Sequence, residues 1–405
     1  MTSRRTDPAR LFVRGFGVVE GIEWGFWLVL TVFWIVELEL GPAKLVLLGI
    51  VLEASVLLAE TPTGVVADLQ SRKRSLVIAQ VVMGISFLWS VASTNYWVIL
   101  PAQMLVGVGW TFRSGADTAW VTDELKGVGT FDDDDVERLL LRRHRFGIAF
   151  SLLTLPVTIA VGVLTSIRWA GVMMGVAYLL LGLYFAIVMT EEHFTPGKDT
   201  GRGFVDIFRE GLAVVRDRPR LRVLVVVILL LNLGAEGFDR LGFKHFLDNT
   251  GADSAAASDS LVVLGILFFI LALTGLVVNA AASRYLERGH GVARLAVALL
   301  AVATVGGFIA AITNIVVVIA IGYMMQDSVR EALWPVLEGW ANRDAPTEVR
   351  ATVHSLMGQT TSIGELTGAL LLGAVAEFAS IQVALLVGVV AFAGAGLSAT
   401  RGVAR

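Results

Sequence analysis

The sequence predicts an all-α integral membrane protein with about twelve transmembrane helices in two six-helix pseudo-symmetric bundles, and three observations carry that prediction. Hydrophobic residues make up 56% of the 405-residue chain and charged residues only 17%, against roughly half apolar and a quarter charged in an ordinary soluble domain; the mean hydropathy is +0.74. Windows such as 221–233 and 381–397 are almost free of charge and sit in segments of about 20 residues, the length a helix needs to cross roughly 30 Å of hydrocarbon. Short acidic motifs occur twice. Glu20-Gly21-Ile22-Glu23 returns as Glu236-Gly237-Phe238-Asp239, more than half the chain later, and 114–124 returns as 328–338 at almost the same interval. Strand-period alternation is absent, and unpaired backbone is not tolerated in lipid, so helices satisfy the chain where a barrel does not.

Spans are expected near 11–36, 44–67, 75–94, 97–121, 146–167, 169–190, 220–246, 260–283, 293–312, 314–338, 350–377 and 381–399. Met1 to Arg10 reads as a polar start without a cleavable signal, so the first apolar run is expected to stay as a span. With that start in the cytoplasm, nearly all of the 32 Lys and Arg fall on inner segments. Only Lys44, Arg168, Arg240 and Lys244 are left outside, with Arg113 and Arg330 inside spans. The bias puts both termini in the cytoplasm. The expected domains are a bundle at 1–190, a cytoplasmic linker at 191–219 holding Thr195-Pro196-Gly197-Lys198 and several Arg, and a second bundle at 220–405. Parallel repeats of six spans point equivalent helices the same way, so the duplicated motifs are expected to face a central cavity.

Ionisable residues inside apolar spans are costly and mark function by default. On the first span, Glu20 and Glu23 are three apart and share a helix face, with Trp24, Phe26 and Trp27 directly after them. Two carboxylates this close in low dielectric favour holding a proton between them, and their aromatic neighbours suit a cationic or amphipathic ligand. The second span carries Glu53, then Gly64, Asp68 and Arg72 at four-residue spacing; Gly64 is expected to admit a close helix neighbour, and Asp68 to hold Arg72 or the opposite half as a gate. In the fourth span Arg113 and Asp117 are four apart, placed to pair along the helix. In the tenth, Asp327, Arg330 and Glu331 cluster likewise. Both groups lie towards the cytoplasmic ends, which suggests an inner gate in which Arg113 meets Glu331 and Arg330 meets Asp117. On the seventh span Glu236 and Asp239 repeat the first-span geometry, with Arg240 as a partner. Glu23 and Asp239 are the leading cavity candidates. Glu365, in Gly364-Glu365-Leu366-Thr367-Gly368, lies on a small-residue surface that reads as helix packing. The acidic run Asp132 to Asp135 fits no calcium loop and, with Arg138, Arg142, Arg143 and Arg145 behind it, reads as solvated surface.

The run Gly64-Val65-Val66-Ala67-Asp68-Leu69-Gln70-Ser71-Arg72-Lys73-Arg74, at the turn between the second and third spans, resembles the signature of the major facilitator superfamily. Span count, linker and repeat extend the resemblance over essentially the whole chain. Leu69 stands where that signature usually has Arg, and Ser71 where it has Gly. Trp334-Pro335 and the segment Glu348-Val349-Arg350-Ala351-Thr352-Val353-His354-Ser355 are similar to the tenth-to-eleventh-helix connection of bacterial drug-efflux members. Two departures run against proton antiport of that type: Gln103 replaces a fourth-helix Arg, and the fifth span offers only Pro156 and Gly162 of a Gly-Pro-rich signature.

No phosphate loop is present, Gly15-Phe16-Gly17 lacks the third glycine of a dinucleotide fingerprint, the five His show no zinc spacing, and Cys is absent. The expectation is therefore no enzyme, no cofactor, no metal and, at a net charge of −3, no nucleic acid. What the resemblance implies is a monomeric, multi-pass protein of the bacterial inner membrane whose partners are a small-molecule substrate, protons and membrane lipids. It would export small amphipathic or drug-like compounds by alternating access, as a proton antiporter. Proton-coupled uptake of a metabolite is the alternative. A non-transporting membrane receptor or scaffold is a more distant one, because no loop is long enough to hold the large added domain such receptors usually carry.

Overall fold

A computed structural model describes residues 7–127, 133–196, 204–251, 257–289, 291–345 and 350–403. Its helices run, in order, α1 Pro8–Glu37, α2 Pro42–Leu69, α3 Arg72–Ser90, α4 Tyr96–Arg113, α5 Ala116–Lys126, α6 Asp133–Leu164, α7 Ile167–Val188, α8 Phe204–Arg216, α9 Pro219–Thr250, α10 Ala257–Glu287, α11 Val292–Ile312, α12 Val316–Asp344, α13 Arg350–Phe378 and α14 Ile381–Val403. Setting aside the short α5 and α8, these are twelve long helices in the expected order, and no strand occurs among the described residues. Among those described residues, nine helices are long and apolar enough to cross a membrane; α3, α4 and α12 complete the twelve.

Local chemistry sets the ends. Ser71 and Asn95 cap α3 and α4 by accepting the Arg74 and Trp97 backbone N–H groups, each at 3.0 Å, and Pro219 opens α9 at the first helical position. The fourth span departs from the continuous helix expected at 97–121. Its backbone leaves the helix at Ser114 and turns through Gly115 at φ +75° before α5 begins, a left-handed conformation open to glycine at little cost. The tenth helix has no such break and stays continuous past Pro335.

The chain divides into two compact units. The first comprises Met1–Glu39, Ala54–Gly201 and Ala256–Phe269; the second comprises Leu40–Glu53, Arg202–Ala255 and Ile270–Arg405. The first half of α2 thus belongs to the second unit and the first half of α10 to the first. These two segments begin at Leu40 and Ala256, separated by the same interval as Glu20 and Glu236. The packing repeats as well. In the first unit α1 packs on α6 and α7, and α3 on α4 and α7; in the second, α9 packs on α13 and α14, and α11 on α12 and α14. Each partnership recurs six spans later.

Close approach follows from small residues. A Cβ added at Gly17 or Gly21 of α1 would lie 3.2 Å from the Arg143 carbonyl and 3.1 Å from the Gly147 carbonyl of α6, so the two backbones nearly touch. Gly364 and Gly368 of α13 press equally hard on the backbone of α9, as the small-residue surface there leads one to expect. At Gly64, by contrast, an added Cβ would meet nothing within 4 Å: the close helix neighbour expected there is not present.

Candidate functional site

In the first unit the α1 acids go to two different arginines. Arg113, at the last residue of α4 before the break, reaches Glu23 at 2.6 Å. Tyr178 of α7 donates to the same carboxylate oxygen at 2.7 Å, and the guanidinium stacks on Trp110 with 4.5 Å to the ring centroid. Arg143 of α6 lies between Glu20, 2.8 Å away, and Asp117, 2.5 Å away. A Cβ at Gly147 would fall on the Glu20 carboxylate, so that glycine provides the space in which Glu20 meets Arg143.

Arg113 and Asp117 therefore do not pair along a helix. The turn at Gly115 separates them and sends each to a different neighbour. Arg143 is also not part of a solvated surface run: its side chain is only 19% exposed and bridges two acids. Of the acidic run before it, Asp132 lies outside the described residues, and the helix α6 begins at Asp133. Phe26 is fully buried and stacked on Phe87, a core residue and not a ligand wall, whereas Trp24 and Trp27 stay half-buried, with Trp24 edge-on to Phe268.

The second unit repeats the central contact. Arg330 of α12 clasps Asp239 of α9 with both terminal nitrogens, at 2.6 and 2.8 Å, and holds Asp327 at 3.0 Å; Glu331 is half-buried beside it. The two-pronged geometry is the stronger form of a charged hydrogen bond. Arg240 pairs with Glu236 one turn back, at 2.9 Å. Asp239 and Arg240 sit on a π-helical stretch, Phe238–Gly242, a local widening common at functional positions, and the Tyr323 hydroxyl donates to the Phe238 carbonyl there. Glu23–Arg113 and Asp239–Arg330 are alike, an acid on the first span of each repeat meeting an arginine on the fourth, although Arg330 stands three residues further along its repeat than Arg113.

The repeats differ around that contact. Glu53 of α2 is buried, its carboxyl lies beside the carboxyl of Glu365 from α13, and Glu236, Asp239 and Arg240 are close by. Gly49, one turn before Glu53, lets α2 lie directly on this group: a Cβ there would stand 2.6 Å from the Glu236 carboxylate and 2.7 Å from the Arg240 guanidinium. Glu365 thus does more than pack, although its flanking glycines do pack.

Towards the end of α2, Asp68 is exposed, and Arg72 turns away from it to Asp123 and to the Ala119 carbonyl of α5. Glu124, the last acid of its repeated motif, accepts the backbone N–H groups of Glu192 and His193 at 2.8 and 3.0 Å. It fastens α5 to the chain leaving α7. Its counterpart Glu338 accepts from Trp334 Nε1 on its own helix at 2.9 Å. No group of three or more metal-ligating side chains occurs among the described residues.

Sequence reasoning missed Arg143, Tyr178 and the role of Glu365. For Arg143 a usable signal existed: it lies four residues before Gly147, opposite Gly17 and Gly21, on the face of α6 that approaches α1. Tyr178, in an unbroken apolar run, left no signal.

No family model matches the chain, and no curated protein matches it. Solved structures are similar over nearly its whole length. A point mutant of the nucleoside transporter NupG aligns at 13% identity, covering 97% of this chain and 99% of that one, with a TM-score of 0.77. A bacterial homolog of the human lysosomal transporter Spinster, inward-facing and occupied, aligns at 14% over 98% and 97%, with a TM-score of 0.72. A POT family transporter in complex with a thioalcohol-conjugated peptide aligns at 10% over 96% and 94%, also at 0.72. At such identities the likeness establishes the fold alone: this is a multi-pass membrane protein folded as these three transporters are folded.

Proposed function

We propose that the protein is a secondary transporter that moves a small organic solute by alternating access and couples that movement to protons. The observation that carries the coupling is the juxtaposition of the buried Glu53 carboxyl and the Glu365 carboxyl. Two carboxyls so placed in low dielectric favour sharing a proton, because charging both at once is costly. Burying a charged carboxylate without a partner is costly, and Arg240 is already bridged to Glu236. Glu23 and Asp239 each have an arginine in direct contact, which leaves the Glu53–Glu365 pair as the proton carrier in this proposal.

The arginine–carboxylate pairs on the first and fourth spans of each repeat are the substrate-side groups in this proposal. A solute that inserts between Glu23 and Arg113, or between Asp239 and Arg330, exchanges one set of charged hydrogen bonds for another, which favours a polar or zwitterionic molecule. That supports proton-coupled uptake of a metabolite, in line with the fold shared with nucleoside and peptide transporters. Export of amphipathic compounds draws on a different observation, the half-buried Trp24 and Trp27 beside Glu23. Asp68, Arg72, Asp117, Asp327 and Glu331 remain the gating candidates, and the Arg113–Glu331 and Arg330–Asp117 pairings are proposed for the state with the inner side closed.

The test is reconstitution in liposomes with an internal pH dye and a screen of nucleosides, short peptides, sugars and lipophilic cations. Solute-dependent proton movement with one class is the expected result, and its sign relative to solute flow separates uptake from export. Solute movement without proton flux for every class overturns the coupling.

A further inference from the structure

The helix α8, Phe204–Arg216, is set apart from the spans and has two faces. Phe208, Gly211 and Val215 form one, with Gly211 and Val215 buried; an added Cβ at Gly211 would lie 2.8 Å from Leu356 of α13. A second stripe, about a quarter turn round the helix, is Val205, Arg209, Leu212 and Arg216, at spacings of four, three and four residues, and all four are exposed, Val205 by 54% and Leu212 by 42%. Arg209, Leu212, Ala213, Arg216 and Asp217 line a shallow hollow of about 530 Å³ along it. Arg209 and Arg216 form no ion pair with a described residue. The acids Asp206 and Glu210 lie off the stripe, one position further round the helix from Val205 and Arg209.

Position decides what can cover this stripe. Arg216 is three residues before Pro219, where the apolar span α9 begins, so α8 lies at the level where a span leaves the hydrocarbon. An amphipathic helix there, with guanidiniums alternating with exposed aliphatic side chains, matches the boundary between headgroups and acyl chains. Arg222, exposed on the first turn of α9, adds positive charge at the same level.

We propose that the α8 stripe docks on the acidic phospholipids of the bilayer, with a lipid phosphate held between Arg209 and Arg216 and Leu212 reaching into the acyl boundary. Because the other face of α8 rests on α13, docking fixes the end of the helix that carries Glu365. The site takes a lipid and not a free anion: the aliphatic positions in the stripe have no use for inorganic phosphate.

The experiment uses the full-length protein in phosphatidylcholine nanodiscs, with phosphatidylglycerol titrated in and bound lipid counted by native mass spectrometry. Replacing both guanidiniums, Arg209→Gln with Arg216→Gln, is expected to weaken phosphatidylglycerol retention about thirtyfold, the equivalent of ~1 kcal/mol for each arginine near an anionic surface. Leu212→Asp is expected to weaken it further, and glycerol phosphate in the buffer to leave it unchanged. All replaced side chains are exposed, and an unaltered size-exclusion profile checks that the fold is kept. Equal retention by the double variant and the parent overturns the proposal, as does full competition by glycerol phosphate. Binding of an acidic peptide in preference to phosphatidylglycerol vesicles overturns it too.

Discussion

At the scale of single residues, the energetics turn on arginines that each answer more than one acid. Arg143 satisfies Glu20 and Asp117 together, with all three side chains at most 21% exposed. Arg143→Ala would leave two partly buried carboxylates facing each other, and loss of one member of a buried pair costs about 3 kcal/mol or more. A clear drop in thermal stability in detergent is expected, relieved in part when Glu20→Gln is added. Glu23 and Arg113 are the subject of a second prediction. Exchanging them, Glu23→Arg with Arg113→Glu, should recover transport lost in either single variant, and likewise Asp239→Arg with Arg330→Glu. A double-mutant cycle with no coupling between these partners would count against the contacts seen in both repeats. The acids themselves were legible in the sequence, because an ionisable group in an apolar run is conspicuous. Their partners were not, since an arginine four residues away invites a helical pairing that only the turn at Gly115 rules out.

At the scale of elements, the site depends on where helices approach and where one is interrupted. Gly115 has open space around it, so Gly115→Ala meets no clash and loses only the left-handed backbone preference, ~1 kcal/mol. Gly115→Asn should be tolerated better, and thermal unfolding of the two variants provides the comparison. Gly147→Ala is of another kind. Its methyl would occupy the place of the Glu20 carboxylate, so this variant should lose solute transport as severely as Glu20→Ala while Gly64→Ala, which meets nothing, stays near the parent in uptake assays. Helix existence and order were readable from apolar run length, which the bilayer thickness fixes. The break in the fourth span was not, because Ser114-Gly115 differs little from the many small-residue pairs that pack inside unbroken helices.

At the scale of the whole molecule, duplication organises everything. The interval between the two copies of the acidic motifs recurs in the two chain segments that cross between units and, as a shift of six spans, in the helix packing. The repeat was visible in the sequence; its unequal use was not. The charged motifs fall on two sets of spans, the first and seventh and the fourth and tenth, yet they join into a single network within each unit. The first unit adds Tyr178, Trp110 and Arg143 to the shared contact, and the second adds Glu53 and Glu365. Alternating access needs an element whose interactions differ between states, and the first half of α2, which carries Glu53 onto Glu236, Arg240 and Glu365, is placed to be that element. In the proposed mechanism, a proton shared by Glu53 and Glu365 would tie chemistry to conformation. The most direct measurement compares parent protein, Glu53→Gln and Glu365→Gln in proteoliposomes, recording solute flux and internal pH together. The expected result is solute-dependent proton movement in the parent and solute exchange without proton movement in both amide variants. Proton movement that persists undiminished in both variants would contradict the assignment.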